Sequence, residues 1–87
     1  MERTFTIKNK LGLHARAAAK LVQLMSRFES ECFITKDSDT VNGKSIMGVL
    51  TLAAAMGTEI TVRVDGPDEE EALMAIEQLI DNKFDES

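Results

Sequence analysis

The chain has one histidine, His14, within Gly12-Leu13-His14-Ala15-Arg16-Ala17-Ala18-Ala19-Lys20-Leu21, where a glycine-containing turn runs into an alanine-rich helical pattern. This order puts an imidazole at a helix mouth, where first-turn N–H groups lack intrahelical acceptors and the macrodipole presents its positive end. Such a position favours an anion. A neutral imidazole is a competent nucleophile near pH 7, and the Arg16 guanidinium adds a charge-assisted donor. His14, the amides of Ala15 and Arg16, and the Arg16 side chain together form a place where a phosphoryl group can be accepted, held and passed on. Taken alone, a lone histidine reads more simply, as a helix cap or a packed side chain.

A second segment shifts that balance. Asn42-Gly43-Lys44-Ser45-Ile46-Met47-Gly48-Val49-Leu50, taken with Gly12-Leu13-His14-Ala15-Arg16, resembles HPr, the histidine-containing phosphocarrier family of the bacterial phosphoenolpyruvate-dependent phosphotransferase system. The resemblance spans essentially the whole chain. It implies that His14 accepts a phosphoryl group at Nδ1 from phosphorylated Enzyme I and passes it to a histidine on an EIIA-type protein. The chain would then be a carrier within a relay and not itself an enzyme, with no metal or organic cofactor. It also implies that Ile46 and Met47 face partners, whereas Leu50 is a docking candidate that packing alone can explain. Lys20 and Lys44 are candidates to meet acidic partner residues, against the simpler reading of each as a solvated lysine. Ser45 matches the residue modified by HPr kinase/phosphorylase in many bacteria, and as an N-cap it needs no second role. The family pattern has proline after the arginine, whereas this chain has Ala17. That departure keeps open a nitrogen-branch or purely regulatory phosphocarrier. A third reading, of a different class, is a non-phosphorylated α+β interaction module in which His14 only caps a helix.

Composition sets independent limits. With 87 residues, 44% of them hydrophobic, the expectation is one domain over 1–87, burying roughly 60–65% of its unfolded surface. A formal net charge of −5 gives no basic footprint for nucleic acid. No apolar run approaches a membrane span and the amino terminus reads as a strand, so the expectation is a cytoplasmic monomer without membrane insertion. One cysteine and one histidine make neither a disulfide, a zinc set nor a nucleophile-base-orienter triad. Cys32 reads as a small apolar strand residue.

The elements that must position these groups follow from the hydrophobic period, which switches between two and about 3.6. Phe5 and Ile7 alternate with Thr4, Thr6 and Lys8 as a first strand. Ala18, Leu21, Val22, Met25 and Phe28 mark an amphipathic helix from Ala15 to Phe28. Cys32 and Ile34 alternate with Glu31, Phe33 and Thr35, and Asp37-Ser38-Asp39 turns the chain into a paired strand at Thr40-Val41-Asn42. Ser45 caps a short helix from Ile46 to Leu52, with Gly57 suited to a left-handed stop. Ile60, Val62 and Val64 form the clearest strand. Pro67 and the acids Asp68 to Glu71 start the last helix, whose apolar stripe is Leu73, Ile76, Leu79, Ile80 and Phe84. The expected fold class is α+β, and the family resemblance makes it an open-faced sandwich, a four-stranded antiparallel sheet with three helices on one face. The aromatic Phe33 on the open face is unexplained by this pattern.

Overall fold

Alternation settles which side of each strand is buried, and the computed structural model, which describes residues 1–86, shows the consequence. The elements run β1 (Glu2–Thr6), α1 (Ala15–Met25), β2 (Glu31–Lys36), β3 (Asp39–Asn42), α2 (Ile46–Thr51), β4 (Glu59–Asp65), α3 (Glu69–Asp81) and a final turn, Lys83–Asp85. The sheet is antiparallel throughout, with strand order β1-β4-β2-β3. Phe5, Cys32, Ile34, Ile60, Val62 and Val64 point inward and meet Leu21 and Met25 of α1 and Leu73, Ile76 and Ile80 of α3. The expected α+β open-faced sandwich is the observed architecture.

The open face is polar and paired across strands. Thr4 and Thr61 hydroxyls lie 3.0 Å apart and those of Thr35 and Thr40 2.8 Å apart. Phe33 stands opposite Arg63, whose guanidinium carbon is 5.4 Å from the ring centroid. This cation–π contact gives the aromatic a partner on a solvated surface.

Several boundaries differ from the sequence reading. Helix α1 ends at Met25, where the Ser26 N–H still reaches Val22 O at 2.9 Å, and Phe28 packs half-buried beyond the helix. The left-handed residue closing α2 is Ala53 (φ 49°); Gly57 instead serves the turn before β4, its N–H donating to Ile7 O at 2.8 Å. Phe84 is buried, but it belongs to the separate turn after α3.

The acid run at α3 divides in function. Glu69, Glu70 and Glu71 occupy the first turn, where they suit the helix dipole. Asp68 leaves its own helix uncapped and crosses to the loop before β2. Its carboxylate accepts from Ser30 Oγ at 2.5 Å and from the backbone N–H groups of Glu29 and Ser30, each at 2.9 Å. The Ser30 hydroxyl, followed by the Glu29 amide, holds the Asp68 carboxyl below its ordinary range.

Candidate functional site

The loop before α1 is built to deliver His14. Gly12 has φ +67°, and a Cβ there would press on the backbone of Ala54 and Ala55, so glycine is required on both counts. Asn9 is fully buried and donates from Nδ2 to Gly12 O at 2.8 Å, while Leu13 N–H donates to Ala54 O at 2.8 Å. Segment 54–58 thus holds this loop from outside.

His14 occupies the N-cap position of α1 with extended backbone, and its carbonyl accepts from Ala18 N–H at 2.8 Å. The imidazole makes no capping hydrogen bond, and its side chain is 30% exposed. The N–H groups of Ala15, Arg16 and Ala17 have no acceptor among the described residues. Unlike α3, α1 carries no acidic side chain in its first turn. Arg16 is exposed and is in no ion pair among the described residues. A candidate nucleophile, amides without acceptors and a cation without an ion pair among the described residues therefore share one helix end.

The other candidates divide between exposed and anchored positions. Ser45 caps α2, its Oγ accepting from Gly48 N–H at 3.1 Å. Ile46 and Met47 project 42% and 72% exposed, whereas Leu50 is half-buried against the core. Helix α2 packs on α1, so these groups sit on neighbouring helices. Lys20 pairs with Asp85 at 3.2 Å. Lys44 is not a free solvated lysine, because its Nζ donates to Phe28 O at 2.8 Å across a partly buried contact. Cys32 lies beneath, where burial pushes its thiol up to about 11 against a smaller opposing effect of Lys44.

Glu86 is the site neighbour that the sequence reading missed. Its Oε1 lies 3.9 Å from His14 Nε2 and accepts from Leu11 N–H at 3.1 Å, with the side chain 15% exposed. Three consecutive residues with positive φ, Lys83, Phe84 and Asp85, redirect the chain after α3. Only Asp85 is of a residue type that favours that conformation, and none is glycine. No cluster of potential metal ligands occurs among the described residues, and none of the described helices is long and apolar enough to cross a membrane.

Comparison with known proteins identifies the family. The family profile described as "PTS HPr component phosphorylation site" matches residues 1–82. Phosphocarrier protein HPr of Xylella fastidiosa strain Temecula1 is 54% identical over 86 residues, covering 99% of this chain and 97% of that protein. Phosphocarrier protein NPr of Shewanella violacea is 47% identical, covering 100% of this chain and 96% of that protein. The crystal structure of HPr-C-His from Thermoanaerobacter tengcongensis superposes with a TM-score of 0.96 at 47% identity, covering 100% of this chain and 98% of that one. With a whole-chain match in sequence and fold, and a histidine at the mouth of α1, this chain belongs to the HPr family of phosphocarrier proteins of the phosphotransferase system.

Proposed function

We propose that His14 accepts a phosphoryl group from phosphorylated Enzyme I and transfers it to a histidine of an EIIA-type protein in sugar uptake. The observation that carries this reading is the α1 terminus, where His14 stands beside three amides without an acceptor and an Arg16 without an ion pair among the described residues, with no acidic side chain in the first turn of the helix. The Nδ1 lone pair attacks phosphorus as the donor–phosphorus bond breaks and its electron pair returns to the donor atom. The Ala15 and Arg16 amides and the Arg16 guanidinium then face the phosphoryl oxygens, and their partial exposure keeps the product open to the next acceptor.

Ile46 and Met47 supply a small apolar docking centre, with Leu50 as its buried edge and Lys20 and Lys44 at its margin. Phosphorylation of Ser45 by HPr kinase/phosphorylase would put about −1.5 to −2 charges beside that centre while suiting the helix terminus. The protein acts as a cytoplasmic monomer, with one domain over 1–87 and no cofactor. A nitrogen-branch or regulatory output is the second reading, supported by Ala17 after Arg16 and by the NPr relative.

The test is incubation with phosphoenolpyruvate and Enzyme I, followed by intact-protein mass at neutral pH. One acid-labile phosphoryl group is expected on the chain and none on His14→Ala. Equal labelling of that variant refutes the assignment. Parallel transfer to sugar-branch and nitrogen-branch EIIA proteins separates the two outputs.

A further inference from the structure

The chain after α3 is held over the His14 loop by three independent anchors. Phe84 is buried in the core, Asp85 pairs with Lys20 of α1 at 3.2 Å, and Glu86 Oε1 accepts from Leu11 N–H at 3.1 Å. Between them run Lys83, Phe84 and Asp85 with φ of 55°, 55° and 57°. Left-handed backbone is unfavourable at non-glycine residues, and such strain persists only where surrounding contacts over-determine it. What this turn delivers is a mostly buried carboxylate 3.9 Å from His14 Nε2. The oxygen is fixed by the Leu11 amide and so keeps its place whatever the state of the imidazole.

We propose that Glu86 is a positioning residue for His14: its carboxylate favours a proton on Nε2, frees the Nδ1 lone pair for phosphorus, and balances the charge that develops on the ring. This rests on the phosphoryl-acceptor reading above. The two ring nitrogens are not equivalent, since the group facing one of them decides which carries the proton. A carboxylate accepts and cannot donate, so the nitrogen facing Glu86 is the one that keeps its hydrogen. Nδ1 is then the unprotonated nitrogen. As the N–P bond forms, the Nδ1 lone pair becomes the new bond, Nε2 retains its proton, and the ring gains positive charge opposite Glu86. When the next acceptor takes the phosphoryl group, the pair returns to Nδ1 and that charge disappears. Lys8, Lys10 and Lys83 line a surface depression that also includes Glu86. Lys8 is already engaged with Asp81 at 2.6 Å.

The experiment compares the full chain with Glu86→Gln and Glu86→Ala. Glutamine keeps a carbonyl acceptor for Leu11 N–H but removes the charge and can turn an amide donor toward Nε2. Nitrogen-15 NMR of His14 in the unphosphorylated protein, at a pH where the ring is neutral, reads the tautomer directly. The Nε2–H to Nδ1–H ratio should fall about threefold in Glu86→Gln, the scale of a partly exposed charge contact. The rate of phosphoryl acceptance from Enzyme I at saturation should fall about three- to tenfold with KM for Enzyme I unchanged. An unchanged tautomer ratio in Glu86→Gln overturns the proposal, as does a rate loss confined to Glu86→Ala, which would assign Glu86 to holding Leu11 alone. The tautomer measurement needs no Enzyme I, so its failure is distinguishable from failure of the phosphocarrier reading, which the His14→Ala labelling experiment tests.

Discussion

Replacing Ser45 by alanine removes the side-chain bond that satisfies Gly48 N–H at the start of α2, a contact of 3.1 Å. Losing an N-cap of this kind costs about 0.5–2 kcal/mol, typically near 1. Gly48 is only half-buried, so water can reach its amide and the central value applies. For a domain of this size that corresponds to a melting temperature lower by about 4–8 °C. Ser45→Asp retains an oxygen for Gly48 and should melt close to the parent, but it places a carboxylate next to exposed Ile46 and Met47. Partly desolvating that charge in a docked complex costs at least the about 1–3 kcal/mol of an unpaired polar group, or roughly five- to 150-fold in transfer efficiency. Thermal melting by circular dichroism and the initial rate of His14 labelling, measured on both variants, separate the two roles. The expected pattern is a destabilised, active alanine variant and a stable, slow aspartate variant. Parent-like transfer by Ser45→Asp would refute gating at this position, and an unshifted melt in Ser45→Ala would refute the cap energetics.

Arg16→Ala should still be labelled, because the backbone donors remain, but about tenfold more slowly, the equivalent of 1.4 kcal/mol in stopped-flow transfer. Hydrogen bonds hold the Asp68 carboxyl below its ordinary value of 3.8, so its stabilisation is present above that pH and is lost as pH falls through the depressed folded value. Asp68→Asn should therefore be less stable than the parent at pH 7 and should lose less on going to pH 3, as melting curves at the two pH values would reveal. With its thiol raised to about 11 and its side chain buried, Cys32 should react with an aromatic disulfide reagent at pH 7.5 only on denaturation; rapid native labelling would contradict this packing.

What was legible in the sequence is what local pattern encodes. Ile60, Val62 and Val64 announce β4 because period-two alternation is a direct record of one buried face. His14 and Arg16 announce an anion-seeking helix end because glycine and alanine flank them in chain order. The placement of β4 between β1 and β2 depends on pairings that no local pattern contains. Glu86 escaped notice for the same reason, since it approaches His14 only through a left-handed turn in which Asp85 alone is of a type that favours that conformation. Lys44 looked solvated because nothing in its neighbourhood reveals the Phe28 carbonyl that it meets after the chain has folded back. The end of α1 was misplaced because Phe28 continues the helical spacing, although the backbone has already turned at Ser26.

The central position of β4 bears on how the molecule acquires its activity. Phe5 pairs with Ile60, Ile34 pairs with Val62, and the His14 loop is tied through Leu13 to Ala54 and through Ile7 to Thr58. Helix α1 and the β2–β3 hairpin can form from nearby residues, but the sheet has no continuity until a distant strand slides between its two halves. Closing those long loops precedes the contacts that repay the lost chain freedom, so folding is governed by topology and the last step is cooperative. The helix mouth proposed to receive phosphate is thus shaped in the same step that completes the sheet. Collapsed chains lacking β4 insertion would display His14 without its arranged surroundings, which makes phosphoryl acceptance a reporter of native topology during refolding.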